Sequence, residues 1–318
     1  MKTPSQRKDK KNVAIATVEM TYDELIQLGK DEYAEALKIQ SENNLFANKK
    51  KAKVYLEKIR HAALYCGHLE ALYEWGERLI YPMYDGTIQT DKAGGIRCLK
   101  NAAERGHSKA QFEIGRLYQY GWYGVAKNTF VAATWFRGSS YYESYYHLGC
   151  LYLDGDGVTK DVDEAKRLFI LANDGYECNN EDGYNPAAFQ LGTMYVTVDD
   201  GHTAVYWLKR SGCDEAFYIL AEIYNYGLAG VERNTEEAVN WYLVAAGEGN
   251  PLAMLQMGKV YEAEKNTYEA VRMYQKVIQY FEETGDILRD DNFEMKCHWA
   301  LRFAENKIEL LGNEQVHK

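Results

Sequence analysis

The stretch SYYHLGCLYLDGDGVTKDVDEAKRLFILANDG, from Ser144 to Gly175, contains two apolar stripes joined by a glycine turn. In its first half Ser144, Leu148, Gly149 and Tyr152 fall at i, i+4, i+5 and i+8, one face of an α-helix. In its second half Ala165, Leu168, Phe169 and Ala172 fall at i, i+3, i+4 and i+7, again one helical face. Between them Gly155-Asp-Gly157-Val158 offers residues that turn without steric penalty. The unit reads as helix A, a turn, then helix B. A helix pair with single stripes cannot bury them alone, so it needs neighbours of the same kind.

Those neighbours are present. The helix-A phrase (small residue, large apolar residue, Gly, then Tyr) recurs from Ala71, Ala110, Ala187, Ala216 and Ala253, with a spacing of about 36 residues. Trp75-Gly76, Ile114-Gly115, Leu191-Gly192 and Met257-Gly258 mark four of these copies, and Leu220-Ala221 a variant. The helix-B phrase follows each time: Cys98-Leu99, Trp135-Phe136, Trp207-Leu208 and Trp241-Tyr242, each flanked by small residues. A glycine inside helix A lowers helix propensity by about 1 kcal/mol, and is explained if a side chain there would push helix B away. The expected fold is all-α: a right-handed α-solenoid of stacked antiparallel helix pairs.

The full pattern, A-x-x-x-L-G-x-x-Y-x-x-G-x-G-V-x-x-D followed by A-x-x-W-Y-x-x-A-A-x-x-G, resembles the Sel-1-like repeat, a relative of the tetratricopeptide repeat. The resemblance runs from about Leu69 to Phe281 and fits best over Ser144–Gly175 and Ala216–Gly249. It departs at Ala221, at the turn Val196 to His202, and at an insertion from Glu177 to Asn185. The resemblance implies protein-binding arrays of the kind found in signalling, protein quality control or host–microbe contact.

Composition excludes other classes. Hydrophobic residues at 46% with 14% aromatics are too many for a disordered chain. A net charge of −10 argues against a nucleic-acid partner, whose phosphates need a basic surface. No run approaches a membrane span. The apolar patch Val13-Ala14-Ile15-Ala16 is too short for a signal peptide. Six cysteines form no CxxC pair, which, with the absence of an N-x-S/T sequon, points to a reduced, cytoplasmic chain.

Four segments are expected: a basic, disordered tail at 1–18; a degenerate capping repeat at 19–68; an array of about six repeats at 69–282; and a capping helix and tail at 283–318. Residues 1–12 carry +4, leaving −14 on the rest. Thr21 with Glu24 reads as a capping box opening a helix to about Gln40. Leu28-Gly29 echoes helix A, and Leu56, Ile59, Ala63 and Gly67 echo helix B. Near the other end Phe293, Cys297, Ala300, Leu301, Ala304, Ile308 and Leu311 form one amphipathic face.

Catalytic signatures are missing: no nucleotide-binding glycine loop, no HExxH, no GxSxG. His61 and His68 are able to share a helix face, yet no Cys or carboxylate is seen to complete a metal set with them. Asp154-Gly-Asp156 mimics a calcium loop, but Val158 and Ala165 occupy positions where ligands belong. No cofactor, no metal and no enzyme activity are expected. A hydrolase on a repeat scaffold and a purely structural oligomerisation module are the alternatives.

Function is therefore sought on the surface. With the first residue of helix A at 0° and about 100° per residue, the buried seam falls near 0°, 40° and 80°. Two residues on, at about 200°, lies a column of Tyr73, Phe112, Tyr146, Phe189, Tyr218 and Leu255. Glu77, Arg116 and Glu222 neighbour it at about 240°, and Tyr81, Tyr120 and Tyr226 at about 280°. Two readings of the column stay open: packing between successive A helices, or ligand contact. On the second, these residues form a concave helix-A surface for a protein or extended peptide, one with basic residues, bound by a scaffold or adaptor that is a monomer or weak oligomer.

Overall fold

The computed structural model describes residues 20–41, 49–81, 89–179, 184–284, 302–308 and 310–311. Every regular element among them is an α-helix. They group into two compact units, one of residues 1–117 with 122–125, the other of 118–121 with 126–318.

The first unit contains α1 (Tyr22–Gln40), α2 (Lys49–Leu64), α3 (Leu69–Ile80) and α4 (Lys92–Glu104), together with residues 108–117 of α5 (Ser108–Tyr120). Here α1 packs on α2, α2 on α3 and α3 on α4. The helix α1 opens on the expected capping box: Thr21 Oγ1 accepts from the Glu24 backbone, and Glu24 Oε2 accepts from Thr21 N at 2.7 Å. Tyr55, Ile59 and Ala36 form the seam between α1 and α2, all fully buried.

The second unit contains α6 (Thr129–Gly138), α7 (Tyr142–Asp154), α8 (Val162–Asn179), α9 (Pro186–Thr197), α10 (Gly201–Ser211), α11 (Asp214–Tyr226), α12 (Thr235–Gly247), α13 (Pro251–Ala263) and α14 (Thr267–Thr284). From α6 to α14 every helix packs on its successor. This is α-solenoid architecture. The helix-A phrases fall on α3, α5, α7, α9, α11 and α13, and the helix-B phrases on the even-numbered helices from α4 to α14.

One contact explains the repeated glycine. A Cβ on Gly149 would lie 2.8–3.2 Å from the Phe169 ring. The same Cβ on Gly76, Gly192 or Gly258 would strike Leu99, Leu208 or Tyr274 at 2.9, 2.6 and 2.4 Å. In each pair the helix-A glycine meets the second large residue of the following helix B, so the helices approach backbone to side chain. Gly149→Leu should overpack this seam and cost about 1–3 kcal/mol, read as a lower urea midpoint. An unchanged midpoint would place Gly149 off the seam.

The turns are equally specific. Gly157 has φ +74°, and a Cβ there would meet the Thr129 backbone carbon at 2.4 Å. Helix B then begins on a side-chain cap: Asn128, Asp161, Asn234 and Asn266 each accept from a backbone N–H three residues on. This assigns two carboxylates of the calcium-like loop. Asp161 caps α8, while Asp156 accepts from Thr129 Oγ1 at 2.7 Å and pairs with Lys127.

Within the Glu177–Asn185 insertion, α8 continues to Asn179, and Asn185 caps α9 while bonding Asn173 at 2.8 Å. Residues 180–183 lie outside the described residues, as does the 1–18 tail. Of the C-terminal face, Phe303, Ala304, Ile308 and Leu311 pack with the α13–α14 core, and Lys307 pairs with Glu262 at 2.9 Å. Phe293, Cys297, Ala300 and Leu301 lie outside the described residues. The five described cysteines are free thiols.

Candidate functional site

In the first unit α1, α3 and the start of α5 enclose a cleft of about 820 Å³. Tyr33 and Leu37 come from α1, Glu70, Tyr73, Glu74, Glu77 and Arg78 from α3, and His107 and Lys109 from the entry to α5. The i, i+3, i+4, i+7 spacing of Glu70, Tyr73, Glu74 and Glu77 turns all four to one helix face.

Each carboxylate has a different environment. Glu74 accepts from Arg78 Nη2 at 2.7 Å and from the hydroxyl of the buried Tyr55. Burial and the neighbouring Glu74 push the Tyr33 phenol up to about 12. Glu70 bonds His107 Nε2 at 2.8 Å, and the Tyr73 ring stacks on that imidazole at 4.6 Å. Glu77 is the carboxylate least compensated for its burial. Loss of hydration raises its pKa above the ordinary carboxylate value, against the opposing pull of the Tyr73 hydroxyl, Lys109 and Arg78.

Of the predicted surface, Tyr73 and Glu77 are half-buried in this cleft, and Tyr81 stands exposed at its edge, edge-on to Tyr123 at 5.9 Å. Phe112 is not open: it is 3% exposed, with the Arg116 guanidinium over its ring at 5.5 Å. Arg116 also lies over Trp122 at 5.1 Å and pairs with Glu113. These contacts come from the same unit and close that stretch of the column.

In the second unit the rings of the column pack while its edges stay wet. Tyr146 is half-buried against Phe169 and His147, and Phe189 is half-buried beside α10 and α11 residues. Tyr218 lies 6.0 Å from Tyr242, whose hydroxyl bonds Glu222. Leu255 is buried. Tyr120 and Tyr226 are exposed at 45% and 59%. Helix-B tyrosines also bond helix-A carboxylates in the pairs Tyr55–Glu74 and Tyr274–Glu262. Glu222 thus belongs to a recurring interhelical bond as well as to the predicted wall.

Comparison with known proteins defines the family at this point. The Sel1 repeat model matches residues 69–107, 108–137, 143–175, 183–213 and 215–250, over half of the chain. The chain belongs to the Sel1 repeat family. A tetratricopeptide repeat model matches residues 252–284. Among solved structures the chain is similar to c5321, a protective antigen of uropathogenic Escherichia coli with an SLR fold. That match has 22% identity and a TM-score of 0.66, over 88% of this chain and 62% of the other. The chain thus spans less than two thirds of that antigen's length. It is also similar to a Sel1 repeat protein from Oxalobacter formigenes, at 23% identity and TM-score 0.57, covering 73% of this chain and 88% of that one. Both likenesses concern the fold.

Two further features involve histidines. His68 and His107 follow Gly67 and Gly106 directly before a helix A, and each caps that helix through Nδ1. The Gly-His dipeptides were a visible signal for this role. The second feature corrects the metal reading. His68 stacks on Tyr33, whereas His61 is joined by Glu32 from α1 and Cys66 from the α2–α3 turn. A carboxylate and a thiol therefore do accompany His61, although Glu32 lies 29 residues upstream.

Proposed function

We propose that this Sel1 repeat chain is a non-enzymatic scaffold or adaptor that holds a partner protein, or an extended peptide of it, on its helix-A surface. In the first unit the cleft takes a Lys or Arg side chain of that partner. Sel1 and tetratricopeptide arrays generally mediate protein–protein interaction and are typically non-enzymatic, which supports the class. The observation that carries the specificity is Glu77, a half-buried carboxylate that lines the cleft together with Tyr73 and Tyr81 and loses part of its hydration there. A cation entering there regains charge pairing for Glu77 and meets aromatic faces, so both terms act together.

The sign of the pH effect follows. A carboxylate whose folded pKa is raised binds protons more readily folded than unfolded. Its ionisation therefore opposes folding above the folded pKa, and the penalty is absent below the unfolded one. Glu77→Gln should raise the melting temperature at neutral pH and flatten its fall between those two values. The same change should weaken capture of Arg- or Lys-bearing peptides by about tenfold, as loss of a charged hydrogen bond does. A peptide array read against wild type and Glu77→Gln tests this. Equal capture by both, or capture of no basic peptide, would sink the proposal.

A further inference from the structure

The geometry points to a divalent zinc-class cation bound by Glu32, His61 and Cys66. The three residues come from α1, the last turn of α2 and the turn after it. Their ligand atoms all lie within 4.8 Å of one another. Glu32 Oε2 is 2.5 Å from His61 Nδ1, and Cys66 Sγ is 3.8 Å from the same nitrogen.

That convergence is the informative point. In a nucleophile–base–carboxylate relay the thiol and the carboxylate take opposite ring nitrogens, so that one orients the base for the other. Here both face Nδ1, which has a single proton or lone pair to offer. One cation at that point satisfies all three groups. A tetrahedral zinc with its usual bond lengths places N and S about 3.6 Å apart, close to the observed separation. The Glu32–His61 pair would open from hydrogen-bond length to about 3.4 Å, a change of under 1 Å that a carboxylate rotamer supplies.

The surroundings favour a held site. A Cβ on Gly29 would sit 2.7 Å from Cys66 Cβ, so the bare glycine lets α1 lie against the turn and brings Glu32, one turn on, to His61. The Tyr65 ring stacks on the imidazole at 4.8 Å and fixes its plane. Access is open, because the His61 side chain is 44% exposed and Glu32 21%. Cys66 is buried, and burial together with Glu32 holds its thiol above the ordinary pKa. Three protein ligands, one soft, match zinc or cobalt better than magnesium or calcium, which prefer oxygen alone. The fourth position is left for water or an incoming group.

The test uses the full, reduced chain with Co²⁺ and Zn²⁺ as probes. Co²⁺ should give one equivalent of a thiolate charge-transfer band, displaced by Zn²⁺. Cys66→Ser should abolish the band, and Glu32→Gln and His61→Asn should each weaken binding by about tenfold or more, with circular dichroism unchanged. Since His61 and Glu32 are solvent-accessible, those two variants remain folded even where Cys66→Ser loosens the turn. A band retained at full affinity in all three variants, or no band at all, would overturn the site. The outcome is independent of peptide capture at Glu77.

Discussion

A chain carrying Phe169→Ala should lose about 3–5 kcal/mol of stability in the second unit, as removal of a fully buried aromatic does. Phe169 is 0% exposed, enclosed by Ala165, Ala172, Ala187 and Leu191, with Tyr145, Tyr146 and Tyr152 partly buried around it. Gly149 lies under the ring and has no side chain to refill the space. The cavity therefore persists instead of collapsing. A second substitution sharpens the reading. Gly149→Leu overpacks the native seam, but in the Phe169→Ala background its side chain would enter the vacated volume. The two changes should then be non-additive by about 0.5–3 kcal/mol, the range for residues in contact. Amide hydrogen exchange over α7 to α9 measures this locally, which matters because a repeat array need not unfold in one step. Strict additivity would mean that Gly149 and Phe169 do not face each other.

The same pair shows why the fold was legible. Gly149 and Phe169 each sit inside a phrase of period 3.6, and both phrases recur. The recurrence turns one ambiguous stripe into six concordant ones. One cap was readable as well, because Thr21 with Glu24 acts through local chain geometry alone. The site was only half legible. A helical wheel placed Tyr73, Glu77 and Tyr81 together, and α3 does present them to one cleft. It placed Phe112 on the same open side, where Arg116 and neighbouring groups bury it. A wheel gives direction around an axis and says nothing of what arrives from elsewhere. Tyr33 and Leu37 reach the cleft from α1, and Glu32 reaches His61 from the same helix. These contacts depend on how α1 lies against its neighbours, and no short spacing encodes that.

The cleft also separates two kinds of carboxylate by environment. Glu74 is compensated inside the protein, while Glu77 is left short of partners for its degree of burial. On the proposed function, Glu74 holds the structure and Glu77 receives the partner's cation. Their positions, three residues apart on one helix face, make the division testable by substitution on either side.

Arg78→Leu should cost about 3–5 kcal/mol, the usual effect of removing one member of a buried ion pair. The side chains of Arg78 and Glu74 are 15% and 16% exposed, and Tyr55, the third member, is fully buried. Arg78 donates to Glu74 Oε1 at 2.7 Å and to the Tyr55 hydroxyl at 2.5 Å, with its guanidinium 5.0 Å from the Tyr55 ring centre. Leucine replaces the volume but leaves Glu74 charged with little water to receive it. Removing the carboxylate as well reverses much of the loss, because apolar residues of similar volume commonly match a buried ion pair in stability. Glu74→Leu/Arg78→Leu should therefore be more stable than Arg78→Leu alone, and adding Tyr55→Phe should recover part of the remainder by removing a hydroxyl that has lost its bonds to Glu74 and Arg78. Urea unfolding of the single, double and triple variants gives the ordering. A second readout ties the network to binding: with Arg78 gone, the cleft loses a positive charge that acts on both Glu74 and Glu77, so capture of basic peptides should strengthen while stability falls. If Arg78→Leu is silent in stability and in capture, Glu74 is hydrated in solution and the network contributes nothing to either.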